Sequence, residues 1–493
     1  MSDRTNILPA ETNDLEAVIG MIIMGGPLSG AMVRDIRLAN ELARRGYKVH
    51  VWWAMDRVKP SPLDDRIGQH WLFHAARYYT NKYNRMLSRN MKEKIGLQIH
   101  RMYSNKKSAH SIQKRPHIMD GILTGMQRMV CEGMENDPEN IKRFARELTE
   151  NKVTHVLPML SVLCPWIAEA RKHVPHQVKY LVTFQGYELY SNYARIHGFV
   201  DELYQRLNET AVAADYPAIA VSGDYRLRVQ EDIGVPLEEM VAIPPGIPKP
   251  TPLDRPKALD RIKQGFLHSF REGIPLIAFV GRRDSEKGID LLLYAAKLLQ
   301  QRNVDFQLAI CGPTLFGNHY SKICIEIAEN LRCPVLWKKF ISDELRQALF
   351  AGSDCVVYPS IHREPFGMVP VEAMAHGTPA VVPDQGGVAS VIEANGNTGG
   401  IRFKAWDSGD LADQLERVLQ DRELWQKLSD GGPKVADYFS VENLGSRVLS
   451  HIGLPKSTGQ GKPGKNAVVK EPAHPTQINA NSDGKPLQKN LNV

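Results

Sequence analysis

Two carboxylates and two cations carry the chemistry that can be read in this chain. Glu364 and Glu372 stand eight positions apart within YPSIHREPFGMVPVEAMAHGTPAVVP, the run from Tyr358 to Pro383. The apolar residues Cys355 to Tyr358 predict a buried strand, followed by a loop. A short helix begins near Val369 and ends at Gly377 as its C′ residue, and Ala380 to Val382 predict another strand. Glu364 therefore lies on a loop at the C-terminal end of a strand and Glu372 in the first turns of a helix, with Gly367 between them allowing close approach of backbone to a ligand. Carboxylates accept hydrogen bonds from ribose or sugar hydroxyls, and a helix N-terminus presents N–H groups to phosphate oxygens. Arg282 and Lys287 sit on a second strand-to-helix loop, GRRDSEKG. Such a pair can neutralise a diphosphate without a metal. Taken alone, this spacing is common on solvated loops, and two glutamates flanking a helix start also occur in ordinary crossovers.

The run EPFGMVPVEAMAHGTPAVV resembles the E-x7-E signature of family-4 glycosyltransferases, retaining enzymes of the GT-B fold, and GRRDSEKG matches a second motif of that family in the right order. The resemblance covers roughly residues 15 to 453. It implies two Rossmann-like parallel-sheet domains facing a central cleft and transfer of a sugar from a nucleotide-sugar, most readily a UDP-sugar, to an acceptor hydroxyl with retention of configuration. In that scheme Glu372 binds the ribose, Glu364 binds the transferred sugar, and the N–H groups of Gly367, Met368 and Val369 meet sugar or diphosphate. Arg282 and Lys287 carry leaving-group charge, and the departing phosphate stabilises the transition state by a front-face route. Gly25 and Gly26 belong at the mouth of the cleft, and Gly386 and Gly387 beside the donor as backbone neighbours. No metal or other cofactor is expected, because no ligand cluster of suitable spacing is present.

The chain departs from the family pattern at three places. Gln185 stands where the family usually has a histidine, and a glutamine can donate to a sugar hydroxyl but cannot take a proton as a base. Pro248 stands where an aspartate is common, and Ser390 where a glutamate often follows the glycine pair.

Other elements must position these groups. The strand Ala17 to Met24, the turn Gly25-Gly26-Pro27-Leu28-Ser29-Gly30, the amphipathic helix Met32 to Arg45 and the strand Lys48 to Ala54 form a βαβ unit, which argues for a parallel sheet. That turn lacks the G-x-G-x-x-G spacing of a dinucleotide fingerprint. Further strands are predicted at Thr154–Leu157, Lys179–Thr183, Ala218–Val221 and Val241 onward. The proline-rich stretch Pro244 to Pro256 reads as a linker into a second alternating series. The expected organisation is an acceptor-side domain over 15–246, a nucleotide-sugar domain over 247–433, a helix over 434–453 crossing back to the first domain, and a disordered tail over 454–493.

The chain has 493 residues, 43% hydrophobic and 24% charged, with a net charge of +7. That is the composition of a globular protein with no apolar run near the ~20 residues of a membrane span. Ala17 to Met24 follows acidic residues and reads as a strand rather than a signal peptide. The six cysteines form no C-x-x-C pair, which suits reduced thiols in a cytoplasmic protein. Two other readings stand beside sugar transfer: a GT-B epimerase or phosphorylase, and a protein binding RNA or another anionic polymer. The latter is disfavoured because no RNA-binding module is recognisable.

Within a basic insert over 56–117, Lys82 to Arg115 holds ten Lys or Arg and one acid, Glu93, interleaved with apolar and aromatic residues. This suits a solvated hairpin, a soluble anionic acceptor, or peripheral contact with an anionic membrane at its inner face, as a lipid-linked acceptor would require. The membrane reading predicts flotation with anionic but not neutral liposomes, and release by several hundred millimolar salt as the Debye length falls to a few ångströms. Charge reversal at Arg85, Arg89, Lys92 and Lys94 should abolish flotation, and indifference to lipid charge would eliminate this reading.

Overall fold

A computed structural model describes residues 16–24, 30–54, 62–72, 138–158, 160–186, 188, 194–195, 198–314 and 318–456. Gly25, Gly26, the basic stretch 82–115 and tail residues 457–493 lie outside the described residues.

The first sheet is parallel. Its strands are β1 (Val18–Ile23), β2 (Lys48–Trp53), β3 (Gly68–Trp71), β4 (His155–Pro158) and β5 (Lys179–Tyr180), in the order β3-β2-β1-β4-β5. β1 is buried on both faces, as its unbroken apolar run requires. The alternation of elements continues to Trp71, into the segment read as insert. β3 was not evident in the sequence because it is a half-exposed edge strand, Gly-Gln-His-Trp, without an aliphatic run.

The single strand predicted over Lys179–Thr183 is divided. β5 pairs with β4, whereas β6 (Thr183–Phe184) belongs with β7 (Ala218–Ala220) and β8 (Met240–Ala242) in a three-stranded parallel sheet. Leu181 and Val182, buried between the two pieces, keep backbone bonds to Val156 on one side and Ile219 on the other.

A second parallel sheet contains β9 (Leu276–Val280), β10 (Gln307–Cys311), β11 (Val335–Lys338), β12 (Cys355–Val357), β13 (Ala380–Pro383) and, after a small hairpin of β14 (Glu393–Ala394) and β15 (Asn397–Thr398), β16 (Gly400–Phe403). Their order is β11-β10-β9-β12-β13-β16. Both sheets reverse direction of growth beside their first strand, so the second has a switch point between β9 and β12, where the loops leaving two neighbouring strands diverge and leave a crevice. Arg282 and Lys287 follow β9, and Glu364 follows β12. Ile289 and the leucines of the helix Ile289–Gln301 cover one face of this sheet, with Leu292, Leu293 and Leu299 fully buried.

The chain crosses between the sheets twice. Ile247 forms a parallel bridge with Ser440, closed by Ile247 N to Phe439 O at 2.8 Å and Val441 N to Ile247 O at 3.0 Å. The helix Arg422–Tyr438 contains Gly431, Gly432 and Pro433, so the boundary expected at 433 falls inside a helix. Its glycines are packing residues: a Cβ on Gly431 would lie 2.1 Å from Thr398 O, and one on Gly432 2.8 Å from Met374 O. The last helix, Val441–His451, lies against the first, Gly30–Arg44, and beyond it Tyr47 and Arg45 hydrogen-bond the carbonyls of Pro455 and Lys456.

Gly288 joins the two switch-point loops. Its φ is +63° and a Cβ there would stand 2.1 Å from the carbonyl oxygen of Pro359. Gly288→Ala should lower stability by about 2 kcal/mol or more, from backbone strain and a clash with main chain that cannot rotate away. Urea unfolding would measure it, and an unchanged midpoint would show that the loops separate at no cost.

Candidate active site

The structure brings Lys287 and Glu364 into direct contact. Lys287 Nζ donates to Glu364 Oε2 at 2.6 Å and to the hydroxyl of Tyr358 at 3.0 Å, and Ser360 Oγ approaches the same carboxylate oxygen at 3.3 Å. Lys287 is buried and the Glu364 side chain nearly so. Burial would raise the Glu364 carboxyl, but the charge and hydrogen bond of Lys287 outweigh it and hold the group below the usual carboxylate range. Tyr358 is pushed the other way, by burial and then by the Glu364 charge. Arg282, on the same loop as Lys287, points its guanidinium at two acids of that loop, Asp284 and Glu286, at 2.6 Å each.

Gly367 begins the helix Met368–Ala375 with φ +97°, and a Cβ there would lie 2.6 Å from Val388 Cγ2. Met368 and Val369 form the first turn. Gly386 and Gly387 stand directly behind Glu364: Gly387 N donates to Glu364 O at 2.8 Å, and Cβ atoms on the pair would strike the backbone of Glu364 and Pro365. The close approach these two glycines permit is therefore to the chain's own main chain.

Glu372 lies one turn further along the helix, and arginines from two other elements hold its two oxygens. Arg37 of the first helix donates to Oε1 at 2.9 Å, and Arg346 of the helix Asp343–Gly352 to Oε2 at 2.7 Å. Burial again favours the neutral form, and Arg346 and Arg37 together reverse it, so the carboxyl titrates below its ordinary value.

Gln185 is on the first-sheet side of the same seam. Its Nε2 donates to Asp35 Oδ2 at 2.8 Å, and Asp35 also pairs with Arg34 at 2.5 Å. Burial raises the Asp35 carboxyl despite these partners. Gly186 follows with φ +121°, its missing Cβ leaving room for Pro365, whose carbonyl accepts from Ser222 Oγ at 2.6 Å. Arg363 pairs with Asp224 at 2.7 Å. The loops leaving β6, β7 and β12 thus meet at their C-terminal ends, and Glu364 sits at the junction. A polar cleft of about 570 Å³ opens on its outer side, lined by Asp224, Arg363, Gln385, Ser390 and Arg402 among others.

Sequence reasoning missed Arg34, Asp35, Arg37 and Arg346. The first three belong to the first helix, which is buried on nearly all sides, and Arg34 and Arg37 lie opposite its apolar stripe. Only Asp35 left a signal, a charge beside the apolar stripe of Met32, Ile36, Ala39 and Leu42, whereas Arg34 and Arg37 sit where a solvated face is expected. Among the described residues no group of three or more His, Cys, Asp or Glu is placed to hold a metal ion, and no helix is long and apolar enough to cross a membrane.

Two Rossmann-like parallel sheets joined at the C-terminal ends of their strands define the GT-B fold, and solved structures of that fold superpose on nearly the whole chain. Anabaena HepE in complex with UDP and glucose gives a TM-score of 0.62 at 16% identity, covering 89% of this chain and 99% of that one. Sucrose-phosphate synthase from Thermosynechococcus elongatus also gives 0.62 at 16% identity, covering 88% and 98%. In sequence, residues 260–435 match the family described as glycosyl transferases group 1. That match takes in Arg282, Lys287, Glu364, Glu372 and the glycine pair. An uncharacterized glycosyltransferase of Methanocaldococcus jannaschii is 31% identical over 177 residues, 36% of this chain and 44% of its own length. The D-inositol 3-phosphate glycosyltransferase of Salinispora arenicola is 30% identical over 217 residues, 40% and 46% respectively. The chain spans less than half the length of the curated relatives it matches.

Glu188, three residues beyond Gln185, is fully buried, and burial pushes its carboxyl up to about 7 although it accepts from Gly186 N at 3.3 Å. The folded state therefore binds a proton that the unfolded state has released over the window from the ordinary carboxylate value to about 7. Stability should fall as pH rises through that window, by on the order of 3 kcal/mol in all. Glu188→Gln should flatten the pH dependence of the melting temperature and raise it at about pH 8. A wild-type slope in the variant would assign the effect elsewhere.

Proposed function

We propose that this protein is a retaining glycosyltransferase that moves a sugar from a nucleotide-sugar, a UDP-sugar by preference, to an acceptor hydroxyl. The observation that carries the proposal is the Lys287–Glu364 pair at the switch point of the second sheet, 2.6 Å apart beside the N-terminus of the helix bearing Glu372. A cation that can take leaving-phosphate charge and a carboxylate that can accept from sugar hydroxyls thus stand in direct contact with each other. The family match over 260–435 and the UDP-bound fold neighbours support the same reading.

In this scheme Lys287 and Arg282 bind the diphosphate and stabilise the charge that grows on it as the glycosidic bond lengthens. Both cations are already engaged by carboxylates, so the donor exchanges one anionic partner for another rather than meeting bare charges in a dry site. Glu364 accepts from hydroxyls of the transferred sugar, and the N–H groups of Gly367, Met368 and Val369 meet donor oxygens at the positive end of the helix. Glu372 takes the ribose. Gln185, anchored by Asp35, lies on the acceptor side, where an amide can orient a hydroxyl but cannot deprotonate it. The proton of the acceptor then passes to the departing phosphate, on the same face from which the sugar leaves. Within the same proposal, residues 15–246 form the acceptor-side domain, 247–433 the donor domain and 434–453 the returning helix. The enzyme works in the cytoplasm without a metal, in glycan, glycolipid or polysaccharide synthesis, and the segment 82–115 touches an anionic membrane face.

Release of UDP or GDP from a panel of nucleotide-sugars tests the activity. Lys287→Ala and Arg282→Ala should each keep the fold and lower turnover by about 10²-fold or more, the usual loss when a preorganised charge stabiliser is removed. Glu372→Ala should weaken binding of free UDP, and Glu364→Ala should lower turnover while sparing it. Full turnover in both cation variants would remove the diphosphate assignment.

A further inference from the structure

The contact between Arg37 and Glu372 crosses from one half of the molecule to the other. Arg37 belongs to the helix after β1, Glu372 to the helix after β12, and 335 positions separate them. Arg37 also donates to the carbonyl of Gly246, where the chain leaves the first half, at 3.2 Å, and its Nη1 lies 3.9 Å from Met368 Sδ. A single guanidinium thus touches the crossing strand, the first residue of the donor-site helix and the carboxylate of that helix. It is 6% exposed, so it has left water for these contacts.

We infer that Arg37 is a positioning residue of the nucleotide site, fixing Glu372 for the ribose hydroxyls from the opposite half, so that the ribose site is complete only when the halves are closed. The inference rests on the reading of Glu372 as the ribose ligand. A carboxylate has about four acceptor positions, and the two arginines occupy one on each oxygen, which leaves one on each for a pair of vicinal hydroxyls. The alternative, in which ribose displaces Arg37, is disfavoured in magnitude. A charge-assisted bond is about twice as strong as a neutral one, and removing one partner from a buried pair strands the other charge. Arg346 alone does not substitute for Arg37. It divides its guanidinium between Glu372 and Asp343, at 2.6 Å from the latter.

Three elements face the Glu372 carboxylate with charged or titratable groups: Arg37 from the first helix, Arg346 and Asp343 from the helix Asp343–Gly352, and His376 at the end of its own helix. With Arg37 gone, burial and Asp343 both favour the protonated carboxyl and only Arg346 opposes them. A protonated carboxyl loses acceptor capacity. UDP affinity should then fall with falling pH in the variant, over a range where the wild-type carboxylate stays ionised.

The test is titration of UDP, by calorimetry, into the full chain and its Arg37 variants at about pH 8 and about pH 6. Arg37→Ala should bind about tenfold more weakly at the higher pH, the loss of one bond to a charged group, and weaker still relative to wild type at the lower. Arg37→Lys should recover part of the affinity and remove the added pH dependence, a rescue that a purely packing role would not give. Should Arg37→Ala not fold, Arg37→Gln keeps the volume and removes the charge, and it must show the same pH divergence. Arg37→Ala or Arg37→Gln that matches wild type at both pH values overturns the inference and leaves the donor reading in place. Failure of the wild type to bind UDP overturns the donor reading and this inference with it.

Discussion

Two carboxylates are buried within eight residues of each other, and each stays ionised only because a cation is buried with it. Lys287 does this for Glu364 from a neighbouring loop of the same sheet, and Arg37 and Arg346 do it for Glu372 from two other helices. The positions of these partners are consequences of fold: parallel order puts the loops after β9 and β12 side by side, and closure of the halves puts the first helix against the helix Met368–Ala375. Breaking such a pair by removing one member costs far more than the pair contributes relative to an apolar replacement. Retention of charge here is therefore not explained by stability.

Main chain comes close to main chain and side chain where the halves meet, beside an apolar cluster that includes Phe366 and Val388. Pro365 presents its carbonyl to Ser222 and its ring to Gly186, and Glu364 presents its own carbonyl to the N–H of Gly387. Glycine at 186, 386 and 387 answers to this crowding. At the surface of the seam Arg363 pairs with Asp224 and, at 3.7 Å, with Glu231; these contacts are partly solvated and contribute little beyond register.

Most of the second sheet was legible because buried parallel strands are unbroken apolar runs bounded by glycine and proline, and residues 276–280, 307–311 and 355–357 are of that kind. The helix Met368–Ala375 and its stop at Gly377, φ +78°, followed from the same punctuation. What failed had local reasons. β3 is an edge strand with one apolar residue, β5 and β6 share a single run that the sheet divides, and the boundary at 433 falls inside a helix whose Gly431 and Gly432 approach Thr398 and Met374. The motif residues could be found by spacing along the chain. Arg37 and Arg346 could not be paired with Glu372, because nothing in one sequence reports a contact between segments 335 and 26 positions apart.

The two crossings of the chain lie side by side, bonded to each other through Ile247, Phe439 and Val441. A single covalent link would let one half swivel freely about its dihedrals. A pair of hydrogen-bonded links behaves as a strap, which bends easily across its width but resists torsion about its length. Twisting one half against the other about the strap would break the bonds of Ile247 to Phe439 and Val441, whereas bending across its width would leave them intact.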